Sequence, residues 1–293
     1  TLETMKSLTY GTELEYEGIG REEAAKVVQS IVGGAIEYTG GTLAEWTVIA
    51  PDERRWKIVR DGSLSGARSA EIVSPILRWD DMDELQEIVR ALRKAGAKAL
   101  STTSQHVHIG AASFNTAQLG NLAKIFYKQE ELILKAAGTW QHRLENYTKP
   151  TDKNFIERLE RAKPRTNHEL NRAWFGSLDL NPAHYHSNRY RALNLNNIWR
   201  TGTVEFRLFN GTTHAGEVKA HIHFCLAMAA KAINAKSASS KNPRRYNEES
   251  AKYDMRVFLL NLGLKGREFK NTRMHLLKRM PGSAAWKNGR ALA

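Results

Sequence analysis

Three pairs of polar side chains recur at a spacing of two: Glu13 and Glu15, His106 and His108, Glu205 and Arg207. Side chains along an extended strand alternate between faces, so each pair shares one face. Leu14 and Tyr16, Val107 and Ile109, and Val204, Phe206 and Leu208 then take the opposite, apolar face. Packing those apolar faces on helices lines the other face of a single sheet with acids, imidazoles and a guanidinium. Carboxylate and imidazole together suit Mg²⁺ or Mn²⁺, and the lack of cysteine ligands argues against a structural zinc site. Arg191, Arg200 and Arg207 suit phosphate, which a guanidinium grips through two parallel hydrogen bonds. No Walker A or Gly-rich phosphate loop accompanies them, so the pattern points to nucleotide chemistry on an open antiparallel sheet.

Each pair alone has an ordinary reading. An acid and an arginine two apart on a strand are commonly a surface ion pair. Two histidines at that spacing are commonly satisfied or exposed, and Glu13 with Glu15 reads equally as a solvated sheet face. His184 and His186 repeat the spacing in a polar loop and are assigned no ligand role. Glu71 is a weaker candidate, because its strand face also holds Val73. Asn194 and Asn196 have the alternative task of satisfying a neighbouring loop. The joint recurrence of the three pairs carries the functional reading.

The elements that must position these residues follow from periodicity. Strands are predicted at 8–17, at 46–50 and 55–59 flanking a Pro51-Asp52-Glu53 turn, within 69–75 after Asp61-Gly62-Ser63, carrying Glu71 and ended by Pro75, and at 105–110 and 203–209. Helices are predicted at 21–32, 80–95, 116–137 and 214–235, the last Ala-rich and backing the sheet. Within 116–137, Tyr127, Glu130 and Glu131 read as surface or edge residues. Residues 141–188 are polar and broken by Pro150, Pro164 and Pro182, with short helical pieces near 155–161 and 167–174. A segment of that kind reads as a lid or substrate-binding region, with Arg143 and Tyr147 as candidate contacts. Residues 237–243 are the best linker, and a basic tail with helices near 248–262 and 271–279 follows. The expected organisation is a catalytic domain over 1–236 and a basic helical extension over 237–293.

Composition narrows the class. With 293 residues, 41% of them hydrophobic and 26% charged, the chain can bury a sizeable core as a globular protein. No apolar run approaches membrane-spanning length, and no basic-then-apolar leader opens the chain, which begins on Thr1 as a processed product or part of a longer chain would. A single cysteine, Cys225, excludes an intrachain disulfide framework and makes the cytoplasm the expected location. The net charge of +13 is uneven, with balances of −4, +7 and +10 over residues 1–100, 101–235 and 236–293. Acids early and bases late suit an anionic substrate held between metal-binding carboxylates and basic groups. They equally suit nucleic-acid association through the C-terminal part.

The motifs resemble those of the amidoligase family within the carboxylate–amine ligase superfamily, relatives of glutamine synthetase and glutamate–cysteine ligase. The resemblance runs in order through Tyr10-Gly-Thr-Glu-Leu-Glu15, Asp61-Gly-Ser63, Glu71-Ile-Val-Ser-Pro75, His106-Val-His-Ile-Gly110, Arg143 to Tyr147, Arg189-Tyr-Arg-Ala-Leu-Asn-Leu195 and Thr203-Val-Glu-Phe-Arg-Leu-Phe-Asn-Gly-Thr212. It implies an α+β fold with a glutamine synthetase-like sheet, one face on helices and the other forming the active site. It further implies an ATP- and Mg²⁺- or Mn²⁺-dependent ligase joining an amino-acid- or peptide-derived carboxylate to an amine through an acyl phosphate. By position, Glu13, Glu15, Glu71, His106 and Glu205 would be metal ligands. His108, Arg207, Arg200 and Arg143 would contact nucleotide, and Arg207 and Arg191 would act on the transferring phosphoryl group. Regular alternation opposes Arg191 to Asn194 and Asn196, which ranks it below Arg207. The family often has Cys-Gly before the histidine strand, where Ser104-Gln105 stands here. A guanidino kinase on the same sheet and a non-enzymatic nucleic-acid-binding protein are the alternatives.

Overall fold

The computed structural model describes residues 1–62, 64, 66 and 68–287. In chain order the elements are α1 (Leu2–Ser7), β1 (Tyr10–Glu17), α2 (Arg21–Val32), β2 (Ala35–Gly40), β3 (Glu45–Ile49), β4 (Arg55–Val59), β5 (Ser69–Val73), α3 (Met82–Lys94) and β6 (Ser104–Gly110). They continue with α4 (Thr116–Ala137), α5 (Gln141–Asn146), α6 (Lys153–Ala162), α7 (Asn167–Phe175), β7 (Leu193–Asn194), β8 (Thr203–Asn210), α8 (Ala215–Asn234), α9 (Ala251–Asn261) and α10 (Lys270–Leu277). The strands form one antiparallel sheet of eight, in the order β2-β3-β4-β5-β1-β6-β8-β7. The fold is thus mixed, with helices beside an antiparallel sheet.

The apolar faces expected from period two are buried. Leu14, Tyr16, Ile72, Val107, Ile109, Val204 and Phe206 are at most 1% exposed. They pack against α2, α3, α4 and α8, and burying each large apolar side chain contributes about 1.5–3 kcal/mol. Helix α4 is stopped cleanly at both ends. Asn115 and Gln118 form a reciprocal capping box, and Gly138 takes the left-handed conformation after the last turn. Met255, Phe258 and Leu259 of α9 and Leu276 of α10 join the same apolar core, and α10 lies along α8.

Three local features depart from the sequence reading. Strand β2 was not expected, because Ala-Ile-Glu-Tyr-Thr-Gly lacks clean alternation and lies mostly exposed at the sheet edge; pairing with β3 defines it. Its entry requires Gly34, at φ +81, since a Cβ there would lie 1.9 Å from the Ile49 carbonyl oxygen. Glu130 is 7% exposed rather than at the surface. Its Oε1 accepts hydrogen bonds from the Thr151 N–H at 2.8 Å and hydroxyl at 2.7 Å, which ties the 141–188 region to α4. Finally, the β6–β8 register shifts between Gln105 and Val107, placing Arg207 and Leu208 opposite His106 alone. Leu208 and Phe209 are consequently both buried on the helical side, although strict alternation would separate them. Among the described residues no helix is long and apolar enough to cross a membrane.

Candidate active site

Strands β1, β6 and β8 are neighbours in the sheet, and their polar pairs converge on its helix-free face. Glu13 lies opposite His106, and His108 lies opposite Glu205 across the next pairing. His106 Nδ1 is 2.8 Å from Glu13 Oε2 and its Nε2 is 3.0 Å from Ser104 Oγ. Nε2 of His108 is 3.2 Å from Glu13 Oε1 and 4.0 Å from Glu205 Oε1. That nitrogen is buried, and its near neighbours are carboxylate oxygens.

Glu205 is the most tightly framed member. It is 1% exposed; its Oε1 accepts from Arg207 Nη1 at 2.5 Å, and its Oε2 accepts from Asn194 and Asn197 side chains at 2.6 and 2.8 Å. The role of Asn197 was not foreseen, since it belongs to a short 3₁₀ turn with no strand periodicity to follow. Asn194 turns its amide onto Glu205, whereas the side chain of Asn196 is buried without a hydrogen-bond partner.

A second acidic group lies beside the first. Glu71 on β5 pairs directly with Glu15 on β1, and Asp61 approaches both, so that their donor atoms lie within 4.8 Å of one another. Ser104 donates its N–H and hydroxyl to the two oxygens of Glu15, each at 2.7 Å. Ser104 entered the sequence reading only as part of Ser104-Gln105, where the family often has Cys-Gly, and outside the strand predicted at 105–110. Asp61 was legible only as part of a turn, whose third residue, Ser63, lies outside the described residues.

Electrostatics separates the two groups. Burial opposes ionisation of Glu13, yet His108 and His106 hold its carboxyl well below the usual range. Glu205 is likewise buried but kept low by Arg207, His108 and His106. Burial pushes Glu15 up to about 7, with Asp61 adding to the rise and Ser104 opposing it. Burial, then Glu13, Asp61 and Glu15, raise Glu71 well above its ordinary value. The first group is acidic with cations in place, and the second is a crowd of carboxylates.

Those donor sets fit divalent cations. Glu13, His108 and Glu205 offer one nitrogen and carboxylate oxygens within 4.8 Å of one another, as do the three carboxylates of the second group. Hard carboxylate oxygens grouped with an imidazole nitrogen suit Mg²⁺ or Mn²⁺. The geometry differs in one respect from the implied roles: His108 belongs to the first donor set, whereas both nitrogens of His106 are engaged.

The arginines divide. Arg207, 6% exposed, reaches into the first group. Arg200 lines a cavity of about 550 Å³ over Glu13, His108 and Glu205, and is held by the Pro182 carbonyl at 2.9 Å and His184 Nδ1 at 3.3 Å. Arg189 and His184 line the same cavity, facing Pro75 and Ile76 on its other side. Arg143 is buried beside β8, close enough to Glu15 and Arg207 to act on them electrostatically. It donates to the carbonyls of Phe209 and Arg207, at 2.5 and 2.7 Å, in the bulged stretch. Arg191 donates to the Pro150 carbonyl at 2.8 Å and is not brought into the group.

A family profile described as "Putative amidoligase enzyme" matches residues 6–229. The chain belongs to that amidoligase family. The match spans β1 through most of α8 and so includes every strand of the sheet and both acidic groups. No curated protein sequence matches this family member. Among solved structures, the crystal structure of a bifunctional glutathione synthetase from Pasteurella multocida is similar at 10% identity with a TM-score of 0.42. That similarity covers 94% of this chain and 47% of that one. The amidoligase-family chain therefore spans about half the length of that protein.

Proposed function

We propose that this chain is an ATP-dependent carboxylate–amine ligase that works through an acyl phosphate, on a glutamine synthetase-like sheet. The observation that carries the reading is the convergence of Glu13, His108 and Glu205 beneath one cavity, with Arg207 bonded to Glu205 and the Glu15, Asp61 and Glu71 carboxylates on the neighbouring strands, in an amidoligase-family chain. Glu13, Glu205 and His108 would hold one divalent ion, and Glu15, Asp61 and Glu71 another. His106 positions Glu13 between them. Bound there, the ions would neutralise the charge of the ATP phosphates.

The chemistry asks for placement and charge more than covalent help. An oxygen of the acid substrate attacks the γ-phosphorus, and the bond to the β-phosphate oxygen breaks to release ADP. The amine nitrogen then attacks the acyl carbon, and inorganic phosphate leaves. Arg207, fixed by Glu205, is placed to stabilise the transferring phosphoryl group. Arg200 and Arg189, which bond only to uncharged groups among the described residues, are placed to receive a substrate carboxylate or phosphate. We assign the catalytic unit to residues 1–236, with 141–188 as its substrate-side segment and 237–293 as an extension. A cytoplasmic location belongs to the same reading.

Hydroxylamine trapping tests it. Purified protein with ATP, Mg²⁺ or Mn²⁺ and a panel of amino-acid and peptide carboxylates should release ADP and yield a hydroxamate. ADP release with a phosphorylated guanidine and no hydroxamate would instead indicate a guanidino kinase. Neither ATP binding nor ADP release across the panel would sink the proposal.

A further inference from the structure

A second large cavity lies among the helices, with no lining residue in common with the one above Glu13. Its volume is about 630 Å³, and its floor is the first turn of α8. The first N–H groups of a helix have no intrahelical acceptor and carry partial positive charge. At α8, His214 caps the Glu217 N–H through its carbonyl at 2.8 Å and its Nδ1 at 3.3 Å. Ala215 and Gly216, whose N–H groups bond no described residue outside the helix, line the cavity.

The walls carry more cations than anions. Arg90 and Arg93 rise from α3, are exposed, and form no ion pair with any described residue. Lys219, one turn into α8, has only a 3.7 Å contact with Asp83, whose side chain is 90% exposed. Glu268 is the one acid among the lining residues.

A buried side chain points to a ligand independently of the helix end. His275 of α10 lines the cavity, is 8% exposed, and makes no hydrogen bond to any described residue. Its Nε2 is turned onto the opening of α8: a Cβ at Gly216 would lie 2.9 Å from it. An imidazole buried to that extent ordinarily has a partner. The His214 ring, 4.8 Å away and tilted by 59°, supplies no hydrogen bond to it.

We propose that this cavity is a binding site for the phosphate group of a small phosphorylated molecule, separate from the site of ligation. The Ala215 and Gly216 N–H groups and His275 take the phosphate oxygens, and Arg90, Arg93 and Lys219 neutralise the charge. A guanidinium grips phosphate bidentately, and the volume leaves room for an attached group. The bounded volume favours a small ligand over a nucleic-acid backbone, whose phosphates would track a continuous groove.

Two-dimensional amide NMR of the full chain, titrated with inorganic pyrophosphate in chelator and with the ATP-site residues unaltered, tests the proposal. The expected result is saturable shifts of the Ala215 and Gly216 amides and the His275 ring. The double variant Arg90→Ala and Arg93→Ala changes only exposed side chains and should weaken that binding roughly tenfold or more. His275→Gln should weaken it without altering the melting temperature. Absence of shifts at α8, or equal binding by the double variant, would overturn the proposal. A short single-stranded oligonucleotide that binds here more tightly than pyrophosphate would also overturn it, in favour of a nucleic-acid contact.

Discussion

His221 Nδ1 on α8 lies 2.8 Å from Gln105 Oε1 on β6, so a helix behind the sheet holds the residue next to His106. The same imidazole stacks on Phe209 of β8, with ring centroids 4.0 Å apart. One buried histidine thereby braces the two strands that carry His106 and Arg207. His221→Leu leaves Gln105 Oε1 unpaired, while its Nε2 still donates to Thr12 Oγ1, and is expected to cost about 1–3 kcal/mol of stability. Urea unfolding measures it; an unchanged midpoint would show that the brace is dispensable.

Acid sensitivity follows from the same helix. Burial pulls His221 and His223 down to about 3, so both are neutral in the folded protein. The unfolded chain binds protons at these positions once pH falls below about 6.5, and the native state does not. Stability is therefore whole above that value and declines as pH falls toward 3. Urea midpoints at stepped pH should drop across this window, and His221→Gln should shallow the slope.

Glu205 and Arg207 form a buried pair whose halves are not independently removable. Glu205→Ala strands the Arg207 guanidinium at 6% exposure and should destabilise by about 3–5 kcal/mol. Adding Arg207→Met should recover part of that loss in a double-mutant cycle, while ATP-dependent turnover stays abolished. Additive losses would mean that the pair is not coupled.

Glu71 trades stability for binding. Three carboxylates, from Glu15, Asp61 and Glu71, have donor atoms within 4.8 Å of one another, and their mutual repulsion falls when a cation or a proton joins them. In chelator, Glu71→Gln should raise the melting temperature by about 2 °C or more. With Mn²⁺, the wild type should gain more than the variant does. A wild type indifferent to Mn²⁺ would remove the second ion from the reading.

Arg143 holds the bulged stretch of β8 through its backbone. Arg143→Lys cannot span the Phe209 and Arg207 carbonyls, and losing a charged hydrogen bond there should cost about 1.5–3 kcal/mol. Turnover should fall with KM for ATP little changed, because the bulge that aims Arg207 is loosened while the cavity stays intact. A rise in KM alone would instead make Arg143 a nucleotide contact.

Period-two patterning is a local property, and the sequence by itself determined the faces of β1, β6 and β8. Leu14, Tyr16, Val107 and Phe206 had to bury together, and Glu13, His106, His108 and Glu205 had to share the other side. Helix ends were also local, since a capping box and a following glycine mark α4 without reference to anything distant. Other relations were decided only by the tertiary structure, because they depend on which strands become neighbours. Strand order brought Glu71 against Glu15, and a register shift on β8 put Arg207 and Leu208 opposite His106. Packing also turned Arg143 onto backbone carbonyls, drew Arg191 to Pro150 and buried Glu130 against Thr151. Charge and spacing along the chain name the groups that can meet an ion or a phosphate; contacts across strands and loops select which of them do.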